Sequence, residues 1–371
     1  MGKYKKIPLS NVQIDADLKK SVCRVIDSGS YILGKECAAF EEEFADFMGT
    51  KYAILIGSGT AAIWLSLISL GVKPKDEIIV PALTAFPTIE PILTVGAKPV
   101  FVDIDNTYTI DPKKIEQDIS KNTVGIIPVH LYGHPANMGE ITRLAKKHKL
   151  FVLEDCCQAH GAKFIEHKVG SIGIAGCFSF YPSKNLTVCG DGGAVTTNDK
   201  SLNKKIRMLR DHGRSSKYVH NILGYNERFN EIQASIGRYL LRKLDESNER
   251  RRQIAALYRN KLNGLPIVLP AEKDWAYHVY HMFVVRIKKR DKIIRLLSQS
   301  GISTGIHYPI PAHLQPPIIR KYGKSKLPLT EEYCCQILSL PIYPAMKDRE
   351  VECVCRFLIE SLENAKIMRE Y

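Results

Sequence analysis

Lys184 is the residue around which the chemistry of this chain can be read. It follows Phe178-Ser179-Phe180-Tyr181-Pro182-Ser183 and precedes a glycine turn at Gly190, Gly192 and Gly193. An aromatic strand, a Pro-Ser break and a glycine turn would hold its amine at the end of a stiff element. A primary amine held in this way can form a Schiff base with a carbonyl compound. Lysines on loops are more often solvated surface charges, so the assignment depends on what accompanies it. Gly57-Ser58-Gly59-Thr60-Ala61-Ala62 lies between a strand pattern and a helix pattern. Glycines there let the backbone approach a phosphate, and a helix start offers free N–H groups and a positive dipole end. Asp155, in Leu153-Glu154-Asp155-Cys156-Cys157-Gln158, stands at a strand end. Its carboxylate can face the nitrogen of a pyridine ring and keep it protonated; it could equally cap a following helix. Ser179, five residues before Lys184, has a hydroxyl that can donate to the same phosphate, or is a plain strand serine.

An amine, a phosphate cradle and a carboxylate are the parts that pyridoxal phosphate needs. The rival reading of the glycine loop is a dinucleotide fold, since it also fits GxGxxA. That fold wants an acid at the end of the second strand, whereas Asp76 and Glu77 come before it. A single phosphate is the better fit. A further polar segment, Gly305-Ile306-His307-Tyr308-Pro309-Ile310-Pro311-Ala312-His313-Leu314-Gln315, is a stiff loop that either presents hydrogen-bonding groups or packs on the core.

The elements that must position these residues alternate. Tyr52–Ile56, Glu77–Val80, Pro99–Val102, Val124–His130 and Phe151–Glu154 read as strands; Ala61–Leu70, Ala85–Val95, Asp111–Ile119 and Met138–Lys147 read as helices. Alternation of this kind predicts an α/β fold with a mostly parallel sheet covered on both faces. Ligands of such sheets gather beyond the carboxyl ends of the strands, where Asp155 and the Gly57–Thr60 loop are expected. Residues 236–262 read as one long amphipathic helix. A strand near Tyr280–Ile287 and helices near Asp291–Ser300 and Asp348–Glu363 read as a smaller C-terminal α/β domain. The expected division is 1–245 and 246–371.

Length and composition agree. A chain of 371 residues can bury one large core and one smaller one. A hydrophobic content of 45% and a charged content of 25% suit a soluble globular protein. No apolar run is long enough to cross a bilayer, and the start MGKYKKIPLSN lacks the apolar core of a signal peptide. Lys6 also stands where an acylation pattern wants Ser or Thr. Ten cysteines without a leader suggest reduced thiols and a cytoplasmic location. Their spacing does not suit zinc, so no metal is expected. The net charge of +14 is spread along the chain, and Arg238–Lys261 interleaves its bases with Asp245, Glu246 and Glu249. That is a solvated helix face rather than a nucleic-acid surface.

Taken together, segments in fixed order resemble the DegT/DnrJ/EryC1/StrS family of sugar aminotransferases. They are SGTAA at 58–62, VPALT at 80–84, GAKPVFVDID at 96–105, PVHLYG at 128–133, EDCCQAHGA at 154–162, FSFYPSKN at 178–185, GDGGAVTT at 190–197, GYNERFNEIQA at 224–234, IHYPIPAHLQP at 306–316 and LSLPIYP at 338–344. The resemblance implies a fold type I aminotransferase with pyridoxal 5′-phosphate bound to Lys184. It implies that Asp155 pairs with the pyridinium nitrogen and that Gln158 lies near the ring's 3-oxygen. Gly59, Thr60 and Ser179 would hold the phosphate. Asn226 would reach the phosphate of the neighbouring subunit's cofactor, so that a homodimer shares its sites. Arg228, His307 and Tyr308 would contact a nucleotide-linked keto sugar, with L-glutamate as amino donor. The His307 loop and Lys217-Tyr218-Val219-His220 resemble members that aminate carbon 3; amination at carbon 4, a lyase and a cofactor-binding sensor are the alternatives. Two positions depart from the pattern. Ala85 stands where an aromatic usually stacks on the ring, with Phe86 next to it, and Thr187 stands where glycine is common.

Overall fold

The computed structural model describes residues 6–367. The opening run read above for a leader or an acylation pattern falls partly on residues 1–5, outside the described residues. The strands are β1 (Tyr52–Ile56), β2 (Glu77–Pro81), β3 (Lys98–Val102), β4 (Thr123–Ile126), β5 (Phe151–Asp155), β6 (Lys163–Phe164), β7 (His167–Lys168), β8 (Ala175–Ser179), β9 (Gly193–Thr197), β10 (Ala276–Tyr277), β11 (Phe283–Arg286) and β12 (Ile337–Leu340). Seven of them form the main sheet in the order β1-β9-β8-β5-β4-β2-β3. Only β9 runs against the others.

The helices are α1 (Ala16–Ser28), α2 (Lys35–Met48), α3 (Gly59–Ser69), α4 (Glu90–Thr94), α5 (Pro112–Ile115), α6 (Met138–His148), α7 (Lys200–Arg210), α8 (Glu231–Leu241), α9 (Leu244–Leu262), α10 (Arg290–Gln299), α11 (Pro316–Tyr322), α12 (Pro328–Gln336) and α13 (Asp348–Asn364). Strand alternation distributes the core between two layers. Ile54 and Ile56 of β1, Leu153 of β5 and Cys177 of β8 pack with Ile63 and Leu67 of α3 and Ile206 of α7. On the opposite face, Leu55 packs with Phe40 and Phe44 of α2, and Val152 with Ile141 and Leu144 of α6. This parity puts Asp155 and Ser179 on the α3 side and Glu154 on the other. Among the described residues no helix is long and apolar enough to cross a membrane.

A separate core lies towards the C-terminus. The antiparallel pair β11–β12 packs with Ile254 and Tyr258 of α9, Ile293 and Leu297 of α10, and Val354 and Leu358 of α13. Ile7 bridges to Ile302 and joins this core.

Four expected elements differ. The helix expected over 111–119 is the four-residue α5 followed by a 3₁₀ turn at Glu116–Asp118. The helix expected over 236–262 is two helices, with a turn at Arg242-Lys243. Leu241 and Leu244 are buried on either side of it, while Lys243 takes φ −104°, ψ 1°. No glycine or proline marks that turn in the sequence; burial of two leucines across it does. The strand expected over 124–130 ends at Ile126. Pro128 has no N–H for the ladder, though its carbonyl still accepts from Asp155 N at 2.9 Å. The helix expected over 85–95 is a 3₁₀ turn at Phe86–Thr88 followed by α4, each with a proline in its first turn.

Candidate active site

The first turn of α3 forms one wall. Ser58 is its N-cap and accepts from Ala61 N at 3.1 Å. A side chain at Gly59 would meet Ser179 Cβ at 2.7 Å and Cys157 Sγ at 2.8 Å, so only glycine lets the end of β8 close on the helix start. That contact sets Ser179 beside the free N–H groups of α3, an arrangement suited to a phosphate.

Asp155 ends β5 and is 4% exposed. Thr88 Oγ1 donates to its Oδ2 at 2.8 Å, and Cys157 N donates to its Oδ1 at 3.0 Å. Thr84 Oγ1 lies 2.7 Å from Thr88 Oγ1 and completes a short hydroxyl chain. Gln158 is fixed at both ends: its Oε1 accepts from Tyr132 N at 2.8 Å, and its Nε2 donates to Tyr308 OH at 3.1 Å.

Lys184 sits in a turn, with its N–H on Tyr181 O at 2.8 Å. The residue is half-buried. Burial of the amine holds its pKa below the usual lysine range, against the opposing pull of Cys157 and Asp155. Thr187 explains its own departure from glycine. It is buried, and its hydroxyl donates to Phe180 O at 3.0 Å and accepts from Cys189 N at 3.3 Å, which ties down the loop behind the lysine. Three histidines near the lysine are held neutral by burial, with the lysine's own charge adding to the effect. His160 is pushed down to about 3, His307 to about 4, and His281 well below its ordinary value. His307 Nδ1 faces Ser339 Oγ at 2.8 Å, and its carbonyl accepts from Tyr132 OH. Burial pushes the Tyr308 hydroxyl up to about 12, so it stays protonated.

Gly59, Thr60, Asp155, Gln158, Ser179, Lys184, His307 and Tyr308 thus line one cavity of about 540 Å³. Ala85 and Phe86 also reach its wall, Phe86 as the aromatic of that segment. Asn226 and Arg228 do not line it. Asn226 is exposed and bridges to Asp211; Arg228 Nε donates to Asn226 Oδ1 at 3.0 Å. Sequence reading passed over Thr88, whose signal was its spacing four residues after Thr84. It also passed over Cys157 and His281, which reach the lysine only through the fold.

The DegT/DnrJ/EryC1/StrS aminotransferase family model matches residues 12–359. The chain belongs to this family. It is 42% identical to the UDP-N-acetyl-3-dehydro-α-D-glucosamine 3-aminotransferase of Acidithiobacillus ferrooxidans, across 90% of this chain and 91% of that one. It is also 42% identical to a protein named pleiotropic regulatory protein from Geobacillus stearothermophilus, across 92% and 95%. The solved structure of S. venezuelae DesV superposes with a TM-score of 0.94 at 39% identity, covering 96% of this chain and 98% of that one. The architecture is that of the fold type I aminotransferases, a large domain with a mostly parallel sheet and a smaller C-terminal α/β domain. The chain is an aminotransferase, and its cofactor is pyridoxal 5′-phosphate. The donor set fits that group: a glycine-only cradle at Gly59, a hydroxyl at Ser179, an oriented carboxylate at Asp155 and a buried amine at Lys184.

Proposed function

We propose that this aminotransferase moves the amino group of L-glutamate to carbon 3 of a nucleotide-linked keto sugar. The observation that carries the reading is the convergence of a buried amine and an oriented carboxylate in one cavity beside a phosphate cradle. Support for the acceptor comes from relatives. The A. ferrooxidans protein is named for a 3-dehydro sugar, and others at 41% and 43% identity are named for dTDP-3-amino sugars. Amination at carbon 4 has no comparable support among them.

Gly59, Thr60 and Ser179 would hold the phosphate, with the α3 N-terminus supplying N–H groups. Asp155 would face the ring nitrogen, kept in place by Thr88 and the Cys157 amide. Gln158 would lie at the ring's 3-oxygen. The cofactor, when bound, supplies the electron sink that makes the donor's carbon acidic. Lys184 Nζ is the base that takes that proton and returns it, and its lowered pKa makes the neutral amine more available near neutral pH. His307 and Tyr308, which line the same cavity, would contact the sugar.

Asn226 and Arg228 fit a homodimer in which each subunit completes the other's site. Their segment carries Tyr218, 80% exposed, and Leu223, 84% exposed, an apolar surface that a second copy would cover. We place the domain junction at 245/246. Leu244 packs with the Phe40 core and Ile254 with the C-terminal core, which supports a change of allegiance along α9. A cytoplasmic location agrees with ten free cysteines.

The test is the absorption spectrum of the purified protein before and after glutamate, followed by nucleotide-linked 3-keto and 4-keto sugars offered one at a time. Loss of the visible band with glutamate and its return with the 3-keto sugar alone is expected. Return with the 4-keto sugar alone would move the reaction to carbon 4. A band indifferent to every amino donor would leave a lyase or a sensor.

A further inference from the structure

Tyr132 does not line the active-site cavity, yet each of its polar groups ends on a residue that does. Its N–H donates to Gln158 Oε1 at 2.8 Å. Its carbonyl accepts from Met282 N at 3.3 Å. Its hydroxyl donates to the carbonyl of His307. These partners come from three parts of the chain: the turn after β5, the residue before β11 and the loop between α10 and α11.

The residue that joins them is enclosed. Tyr132 is 2% exposed, and its ring packs edge-on against Tyr108 at a centroid distance of 5.3 Å, with Tyr333 beyond it at 5.6 Å. Burial holds its hydroxyl well above the usual tyrosine range, so it remains a donor. Its backbone stands in the left-handed region, at φ 59° and ψ 4°, which a non-glycine residue takes only where its surroundings fix it. Gly133 follows with φ 97°, and a side chain there would meet Val279 Cγ2 at 2.9 Å and His281 N at 3.0 Å. The chain leading into β11 is pressed onto this turn.

The bonds form a closed ring. Gln158 Oε1 is committed to the Tyr132 amide, which fixes the sense of the carboxamide, so Nε2 is the end that donates to Tyr308 OH at 3.1 Å. The Tyr308 oxygen receives that hydrogen and keeps its own for another acceptor. Among the described residues no acceptor takes it, and Tyr308 lines the cavity. His307, one residue earlier, is held at its carbonyl by Tyr132 and at its ring by Ser339 Oγ, 2.8 Å from Nδ1. Tyr132 therefore reaches the same short segment twice, directly at His307 and through Gln158 at Tyr308.

We infer that Tyr132 is a positioning residue, which sets the His307–Tyr308 segment against Gln158 so that the Tyr308 hydroxyl hydrogen is presented to an oxygen of the keto sugar. This rests on the acceptor reading given above. A neutral hydroxyl suits a neutral sugar oxygen, whereas the carboxylates of an amino donor are best matched by charged partners. The effect of Tyr132 should fall on the sugar.

The test is Tyr132→Phe in the holoenzyme, which removes the bond to His307 and keeps the ring in its packing against Tyr108. UDP-N-acetylglucosamine and dTDP-glucose, nucleotide sugars without a ketone, are titrated calorimetrically into wild type and variant. Single-turnover spectra give the apparent constants for glutamate and for the keto sugar. Binding of the nucleotide sugar that the wild type takes should weaken by about fivefold, the size of one neutral hydrogen bond, and the keto-sugar constant should rise with it. The glutamate constant should stay within about twofold. Replacing Tyr132 by p-aminophenylalanine, which restores a donor on the same ring, should recover most of the loss. Unchanged sugar binding in Tyr132→Phe would overturn the inference. So would equal losses for sugar and glutamate, or no recovery with the restored donor, since either marks a general loosening of the core. If the wild type binds neither nucleotide sugar and no keto sugar restores the visible band, the acceptor reading fails. Hydrogen exchange at the amides of Gly305 to Tyr308 then still decides the positioning role: faster exchange in Tyr132→Phe supports it, and unchanged rates remove it.

Discussion

Glu154 and Asp155 are neighbours at the end of β5, and strand alternation sends their carboxylates to opposite faces of the sheet. Glu154 is fully buried and spent. It accepts from His130 Nε2 at 3.1 Å and from the amides of Gly170 at 2.8 Å, Ile172 at 2.9 Å and Gly173 at 2.7 Å. Four bonds fill the acceptor capacity of its two oxygens. Asp155 accepts two, from Thr88 and Cys157, and lines the cavity with the rest. One acid organises the loop after β7; the other keeps acceptor capacity for a ligand. The number of bonds already made, not the residue type or its burial, separates structure from chemistry.

The strongest way to break the comparison lies at the amine. Lys184→Ala should remove the visible band of the reconstituted protein and lower transamination by at least about 10³-fold, within the range that positioned proton transfer and covalent attachment supply. Stability should change little, because among the described residues the lysine side chain makes no hydrogen bond and its charged form is disfavoured by burial. Normal turnover in this variant would remove Lys184 from the reaction.

The paired acids come next. Asp155→Asn should lower kcat by about 10²-fold or more while leaving the melting transition near the wild-type value, because an amide cannot sustain a protonated ring nitrogen. Glu154→Gln should do the reverse. An amide there turns donor hydrogens towards backbone N–H groups, at a cost of about 2–4 kcal/mol of stability, while activity per folded molecule persists. Denaturant unfolding and kcat on the same samples check both. If Glu154→Gln lost kcat and kept its stability, the division of roles between the two acids would be wrong.

The chain sequence carried most of this site because its parts lie at element ends that local chemistry marks. The glycine loop, the aspartate after a hydrophobic strand and the lysine after Pro-Ser can each be seen in a few residues, and their order placed them on one edge of one sheet. What it left unmarked depends on contacts across the fold. Arg242-Lys243 carries no turn signal, and the helix breaks there because Leu241 and Leu244 both find the same core. Thr88 matters only because β5 brings Asp155 to it from 67 residues away.

A smaller effect concerns the histidines kept neutral around Lys184. His160 is fully buried between Phe178 and Phe180, with ring centroids at 5.5 and 5.9 Å, and neither ring nitrogen has a hydrogen-bond partner. Its pKa is about 3 in the folded chain and near 6.5 when unfolded. Between those values the unfolded chain binds the extra proton, so stability is complete above about pH 6.5 and is lost as the pH falls towards 3. From pH 7 to pH 5 this one group should remove about 2 kcal/mol. His160→Phe should flatten that part of the pH profile; an unaltered slope in urea unfolding at the two pH values would exclude His160 as its source.

The smallest effect sharpens the opening contrast most. Thr88→Val keeps the shape of the side chain and removes the hydrogen bond to Asp155 Oδ2. Asp155 would then hold one bond, from Cys157 N, against the four of Glu154, and its carboxylate would be free to rotate. We expect kcat to fall by about tenfold, the scale of losing a group that orients a functional carboxylate, with cofactor affinity falling by a similar factor. Thr84→Val, one hydroxyl further from the acid, should cost less than Thr88→Val if the chain Thr84-Thr88-Asp155 passes its orientation along in that order. Equal losses at both positions would mean that the two threonines act through packing, and that Asp155 is set by the backbone of β5 alone.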